Sequence, residues 1–272
     1  MSVFPAWRDL ASWLAASERM DDAGDLDDAH LAGGMHGRCR LCGSAAGFEW
    51  NPAASPRENF ACRDCRCIGR HRAAGALLLA RLGSPHRAVV FATERTSDFF
   101  AALRPRVGRL LGSEFVPSLA RRLRLSLWLL QQGRPGWVRH GDLTALRFAD
   151  ASLDGVVSQD VLEHVHDHRR ALREVARVLR PGAPFVFTVP FYDLAAESVR
   201  IADIDGDGRI LHHGPPEYHG DPVSGGALCF HHFGWSLLED LREAGFADAE
   251  ACRVRDPEAG LPAPVWVFSA TR

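Results

Sequence analysis

Two hydrophobic periods meet in the second half of the chain. Gly155-Val156-Val157 is an apolar strand that ends in a polar corner, Ser158-Gln159-Asp160. Beyond it, Val165, Leu172, Val175, Val178 and Leu179 recur at helical spacing until Pro181-Gly182 stops the helix, and Phe185 to Val189 is a second apolar strand. This predicts one strand–helix–strand unit of a parallel sheet. Its polar corner falls at the carboxyl end of a strand, where open α/β sheets bind ligands.

The same reading extends in both directions. Strands are expected at Ala88 to Ala92, at Arg109 to about Leu111 and at Trp137-Val138-Arg139-His140, with helices over Ile68 to Leu82 and 118–132. A late helix at 235–245 precedes two closing strands near 249–255 and 265–270. Residues 1–35 read as an amphipathic helix carrying Trp7, Leu10, Trp13 and Leu14, followed by an acidic linker (Asp21, Asp22, Asp25, Asp27, Asp28) that ends in Gly33-Gly34. Residues 36–72 form a small cysteine-bearing module and 73–272 the main domain, with an insertion at about 191–234. Inside that insertion, Asp203-Ile204-Asp205-Gly206-Asp207-Gly208 opens like a calcium loop, but Gly214 stands where a bidentate glutamate belongs. A hairpin joining Arg200–Ala202 to Arg209–Leu211 is expected instead.

Composition narrows the classes. With 272 residues, 46% hydrophobic and 24% charged, the chain suits one large domain and a small one. The formal charge is −2 and all 32 basic residues are Arg, so no global polybasic field favours nucleic acid or a membrane, and neither is expected as a partner. No apolar run approaches the roughly 20 residues that span a bilayer. Arg8, Asp9 and Glu18 break up the N-terminus, which does not read as a signal peptide, and the expected compartment is the cytoplasm.

Cysteine spacing gives the second chemical signal. Cys39-x2-Cys42, nineteen residues, then Cys62-x2-Cys65 is the paired-knuckle spacing of a four-thiolate zinc site. Four thiolates leave no open position for substrate, so the expected zinc is structural. Cys67 and His71 are competing ligands, and Cys229 and Cys252 read as small buried hydrophobes.

The string from Gly141 to Pro190, with LEHV and RVLRPGAPFVFTVP, resembles the second half of class I S-adenosylmethionine-dependent methyltransferases of the type 11 kind. The resemblance covers roughly 87–272 and implies a Rossmann-like α/β sheet with helices on both faces, here preceded by a zinc-ribbon module. It implies that Asp142 and Leu143 lie beside the adenine and that Ser158-Gln159-Asp160 lies under the methionine moiety. Glu114, at the end of the second strand, would accept the ribose hydroxyls, and Phe115 would flank the adenine. The first strand departs from the family: Thr93-Glu94-Arg95-Thr96-Ser97 follows it with no glycine. Thr93 and Glu94 are therefore expected to meet the cofactor's ammonium and Arg70 or Arg72 its carboxylate, with Arg57 a weaker candidate. The zinc knuckle, RENFAC, GRHRA and GSEF segments together resemble a bacterial subfamily linked to saccharides and other small metabolites, so a small-molecule acceptor is expected.

Two readings concern acid–base chemistry. Asp160-x-x-Glu163-His164, if helical, puts two carboxylates and an imidazole on one face, and it resembles the metal-assisted ubiquinone-pathway O-methyltransferases; a divalent cation at Asp160, Glu163 and His164 is one expectation. The insertion also gathers His212, His213, His219, His231 and His232. His219 and His232, with His164, are the candidates for a general base; His219 stands first because Pro215-Pro216 and Pro222 stiffen its loop. Two other functions remain open. An RNA methyltransferase would use the arginines of 57–72, and a cofactor-free binding protein would dock a partner through the zinc module.

Overall fold

The computed structural model describes residues 4–18, 33–220 and 226–272, so the acidic stretch Asp21 to Asp28 and Pro222 lie outside the described residues. Seven strands form one sheet: β1 (Ala6–Trp7), β2 (Val89–Ala92), β3 (Arg109–Gly112), β4 (Gly155–Gln159), β5 (Pro184–Thr188), β6 (Asp248–Asp256) and β7 (Leu261–Thr271). Their spatial order is β1-β6-β7-β5-β4-β2-β3. β3, β2, β4 and β5 run parallel, whereas β7 is antiparallel to both β5 and β6, and β1 is antiparallel to β6. The strand order is Rossmann-like, as expected, and it reverses between β2 and β4. That switch point opens a crevice at the carboxyl ends of the parallel strands.

Helices cover both faces. They are α1 (Leu10–Ser17), α2 (Gly69–Arg81), α3 (Asp98–Leu103), α4 (Leu119–Gln131), α5 (His168–Val178) and α6 (Leu237–Glu243). On one face Ala73, Leu77 and Leu78 of α2 and Phe99 and Leu103 of α3 pack on Val90, Val157, Val186 and Val267. On the other, Leu172 and Val175 of α5 and Leu238 and Leu241 of α6 pack with Trp13 against Phe91, Val156, Phe187 and Phe268. Neighbours such as Val156 and Val157 thus serve opposite cores, which is why β4 and β5 read as unbroken apolar runs.

Three local expectations change. Residues 137–140 make a single bridge, His140 to Glu114, instead of a strand, because the Val138 N–H donates to Ser126 Oγ of α4 (2.9 Å) rather than to a ladder. Trp7 belongs to β1, since Asp9 caps α1 at the Ser12 N–H and starts the helix after it. The segment after β4 is a short 3-10 turn at Leu162–His164, with α5 beginning only at His168, where Asp167 caps it. The hairpin in the insertion forms later than expected, by two residues in its first arm and one in its second, pairing Ala202–Ile204 with Ile210–His212, and Asp205 accepts the Asp207 and Arg209 N–H groups as a turn residue.

The cysteine module is continuous with the main core. Its buried Leu41, Phe48 and Phe60 pack in the same cluster as α2. Arg72 joins the two: its fully buried guanidinium donates to the carbonyls of Phe60 and Cys67 from the module and of Ala259 and Gly260 from the β6–β7 turn, and it stacks 4.2 Å from the Phe48 ring. Arg72 is therefore structural and does not meet a cofactor carboxylate.

Replacing Arg72 by Leu takes this donor from the buried carbonyls of Phe60, Ala259 and Gly260, while that of Cys67 keeps the Cys62 N–H, and each carbonyl left unrelieved costs on the order of 1–3 kcal/mol. The expected result is a loss of at least about 3 kcal/mol in denaturant unfolding; a loss below about 1 kcal/mol would show that the module is held by packing alone.

Candidate functional site

The cysteines come together as their spacing demands. Sγ of Cys39 lies 3.9 Å from that of Cys65, and Sγ of Cys42 lies 3.7 Å from that of Cys62; all four sulfurs fall within 4.8 Å of one another. A tetrahedron with metal–sulfur bonds of about 2.3 Å has edges of about 3.8 Å, so the quartet fits zinc without rearrangement. The competing ligands stand outside it. Cys67 turns its carbonyl to Cys62 and Arg72, and His71 is buried against Phe99.

At the carboxyl ends of β4 and β5 the site is ionic. Asp160 follows β4 with φ of +50°, an uncommon conformation for a residue with a side chain. Arg57 donates to both of its oxygens at 2.8 and 2.9 Å, Thr188 Oγ1 donates at 2.7 Å, and Arg70 lies 3.3 Å away while also bonding Glu58. Burial opposes the charged form of Asp160, but Arg70 and Arg57 outweigh it and hold the carboxyl below its usual range. Arg57, the weaker candidate by sequence, is thus the residue that clamps the module to the strand ends. Arg70 faces the site but is already paired.

Next to it, Thr93 Oγ1 donates to Ser158 Oγ (3.0 Å), bridging the ends of β2 and β4. Glu94 is half-buried with its Oε1 shut off from solvent, and loss of solvation first, then the Glu114 charge, pushes its carboxyl up to about 7. Glu114 Oε1 accepts the N–H groups of Arg95 and Thr96 and the Thr96 hydroxyl, all at 2.8 Å. The turn after β2 is therefore shaped by an acid from β3 in place of glycines. Close approach has moved to Gly112, where a Cβ would sit 2.6 Å from the Glu94 carbonyl oxygen. Asp142 accepts from the Thr144 N–H and hydroxyl, Leu143 is buried beside it, and Phe115 is 71% exposed, with His140 at 5.3 Å between ring centres.

Two buried polar atoms here lack partners: Gln159 Nε2, a donor, and Glu94 Oε1, an acceptor. They belong to the ends of adjacent strands, β4 and β2. The carboxylate and ammonium of an α-amino acid are complementary to this pair, so the residues present fit the methionine end of S-adenosylmethionine.

The histidines close the crevice from the insertion. Glu217 accepts from His219 Nε2 (2.8 Å) and from His232 Nε2 (2.7 Å), and the His232 ring lies 4.7 Å from that of Tyr192. Glu163 is fully buried with neither oxygen hydrogen-bonded; His219 Nδ1 approaches it to 3.8 Å and His164 Nε2 to 3.9 Å, while His164 Nδ1 engages the Leu228 carbonyl. Burial raises the Glu163 carboxyl, and Glu163 and then Glu217 lift His219 to about 9. His219 and His232 are thus brought together, through Glu217, which the sequence reading did not single out. Asp160, by contrast, is committed to Arg57 and does not join Glu163 and His164. His219 completes that group instead. The helix that would have aligned Asp160 with Glu163 is absent, since Asp160 turns away at positive φ before the 3-10 turn begins.

Residues 95–187 match the methyltransferase domain family, 93 of the 272 residues. A dimethylglycine N-methyltransferase of Parasynechococcus marenigrum is 41% identical over 81 residues, 30% of this chain and 27% of that protein. An O-methyltransferase of Aspergillus nomiae is 33% identical over 100 residues, 36% of this chain and 42% of that protein. The chain spans less than half the length of either relative. Among solved structures, the 1,6-didemethyltoxoflavin-N1-methyltransferase of Burkholderia thailandensis, with bound S-adenosylhomocysteine, is 24% identical, covers 74% of this chain and 77% of its own, and has a TM-score of 0.45.

The raised Glu94 carboxyl carries a signed pH dependence. Between 4.5, where the group ionises when unfolded, and about 7, the folded chain holds the extra proton. Its contribution to stability is complete below 4.5 and is lost as pH rises through 7. Glu94→Gln keeps the neutral form, so the stability difference between wild type and variant is expected to shift against wild type over that window. Parallel unfolding curves from pH 4.5 to 7 would contradict the assignment.

Proposed function

We propose that the protein transfers a methyl group from S-adenosylmethionine to an oxygen or nitrogen of a small molecule. The observation that carries this reading is the crevice at the β2–β4 switch point: Glu94, Glu114 and Gln159 stand at the carboxyl ends of β2, β3 and β4, Asp142 follows the His140–Glu114 bridge, and all but Glu94, which immediately precedes it, fall within the stretch that matches the methyltransferase domain. The sulfonium cofactor supplies an electrophilic methyl group. Glu94 and Gln159 receive its amino-acid end, Glu114 its ribose and Asp142 and Leu143 its adenine, while Phe115 shields the open side. Catalysis is then mostly positioning, plus one proton acceptor beside the attacking atom.

We assign the acceptor's proton to His232 rather than to His219. Both ring nitrogens of His219 face carboxylates, whereas His232 engages Glu217 through Nε2, which orients the ring and leaves Nδ1 for an acceptor. The RNA-modifying alternative has less to draw on, because Arg57, Arg70 and Arg72 are engaged inside the protein and only Arg63 and Arg66 of the 57–72 stretch are exposed.

A second reading has its own observation. A fully buried carboxylate without a hydrogen-bond partner calls for a cation, and Glu163, His164 and His219 offer one ligand atom each within 4.8 Å. The other nitrogens of both imidazoles are held by Leu228 and Glu217, as metal-binding histidines require. In this reading a divalent cation orients an oxygen acceptor and His232 still takes the proton.

Calorimetry is expected to give micromolar affinity for S-adenosylhomocysteine, weakened at least tenfold in Glu114→Gln, which keeps an oxygen for the 95–96 turn; no heat from the wild type would favour a cofactor-free binding protein. Affinity should rise with pH through about 7, as Glu94 becomes the charged partner of an ammonium. His232→Gln is expected to lower turnover by about 10²–10⁴-fold with binding and melting temperature nearly unchanged. Metal analysis should find about one zinc per chain, held by Cys39, Cys42, Cys62 and Cys65 as a structural ion, with Cys42→Ser losing it. A second metal equivalent that disappears in Glu163→Gln would establish the cation reading, and activity indifferent to chelators would remove it.

A further inference from the structure

Helix α4 presents to solvent a face that a globular protein ordinarily covers. Its inward side is Arg122, Leu125, Ser126 and Leu129. One step round the helix, Leu119, Leu123, Leu127 and Leu130 follow one another over successive turns and are 62%, 49%, 52% and 59% exposed. Trp128 on the same helix, Phe115 ahead of it and Trp137, next to the Val138 that bonds Ser126 in mid-helix, are exposed as well. Four leucines aligned in this way are a surface, not scattered apolar residues.

The charge around them is one-sided. Residues 115–141 contain Arg121, Arg122, Arg124, Arg134 and Arg139 and not one Asp or Glu, in a chain whose net charge is −2. Arg134 is paired with Asp98 and Arg122 turns inward; the side chains of Arg121, Arg124 and Arg139 lie at the surface. Arg124 lies on the flank of the leucine stripe, where a long side chain can raise its charge above an apolar layer, and Arg121 lies farther round on the same charged side of the helix.

We propose that α4 docks on an anionic lipid surface, lying in the plane of the interface with its leucine stripe in the acyl boundary and its arginines among the headgroups. The helix, Leu119–Gln131, is far too short to cross a bilayer, and no helix among the described residues is long and apolar enough to do so. Interfacial helices have this composition: an apolar stripe, an Arg-rich flank, and tryptophans at the boundary. A second copy of the chain is a poorer occupant, since pairing the stripe with itself about a two-fold axis brings like arginines together with no acid in the segment to offset them. Nucleic acid would use the arginines but leave the leucines in water. The local segment thus departs from the expectation, drawn from overall charge, that the protein has no membrane partner.

The test is flotation of the full chain with vesicles of phosphatidylcholine alone and of phosphatidylcholine mixed with phosphatidylglycerol. Binding is expected to the mixed vesicles only, to fall with added salt, and to drop at least tenfold in Leu123→Gln/Leu127→Gln, with the melting temperature retained. Arg121→Gln/Arg124→Gln tests the charged flank without touching the stripe and should also lose binding. Leu194→Gln, an exposed leucine in the insertion, should bind as wild type does. Absence of binding to the mixed vesicles would overturn the proposal, as would binding that survives both double variants. A concentration-dependent dimer abolished by the leucine changes, without lipid binding, would assign the stripe to a second copy instead.

Discussion

The guanidinium of Arg72 holds the two parts of this protein in one frame. A buried cation is tolerable only when its donors are satisfied, and here the acceptors are backbone carbonyls from two distant stretches, the cysteine module and the turn between the last two strands. Neither stretch can move without stranding donors of the other. The quartet of sulfurs fixes the module internally and Arg72 fixes it to the sheet. Gly260, at φ +69°, allows that turn to bring its carbonyl close beneath Phe48.

From that frame Arg57 and Arg70 reach the carboxyl ends of the parallel strands. Their clamp on Asp160 neutralises a carboxylate that would otherwise be costly to bury, and it holds a residue at positive φ where the chain leaves β4. A glycine-rich turn would let the backbone approach a ligand directly. This protein instead shapes the turn after β2 with hydrogen bonds to Glu114 and packs that turn against Gly112, where a side chain would strike the Glu94 carbonyl and the Phe100 ring. The cysteine module is in this sense part of the crevice wall.

The insertion adds a second polar system with a different chemistry. Glu217 links two histidines, and Glu163 sits beneath them, buried and short of donors. Placed opposite the strand ends, this system can orient a base or hold a cation beside an acceptor. The exposed α4 belongs to neither system, and its leucines have no covering element among the described residues.

The sequence by itself determined the α/β class, the parallel unit around 155–189, the four-cysteine set and the pairing of His219 with His232 as neighbours of interest, because each rests on local spacing or on a string of residues. The ends of β2 to β6 were legible to within a residue or two, whereas β7 begins four residues before its expected start, directly after Gly260. Tertiary structure decided what local pattern cannot carry. Whether an arginine meets a ligand or a buried carbonyl depends on partners nearly two hundred residues away, so Arg72 and Arg57 exchanged their expected importance. Asp160 and Glu163 are three residues apart and looked like one ligand set, yet a single positive φ sends them to different partners. Strand formation at 137–140 failed for a similar reason: a serine on α4 captured the N–H that a ladder needs. The helix over 118–132 was legible from the sequence, but only the packed structure shows which side of it the protein leaves uncovered.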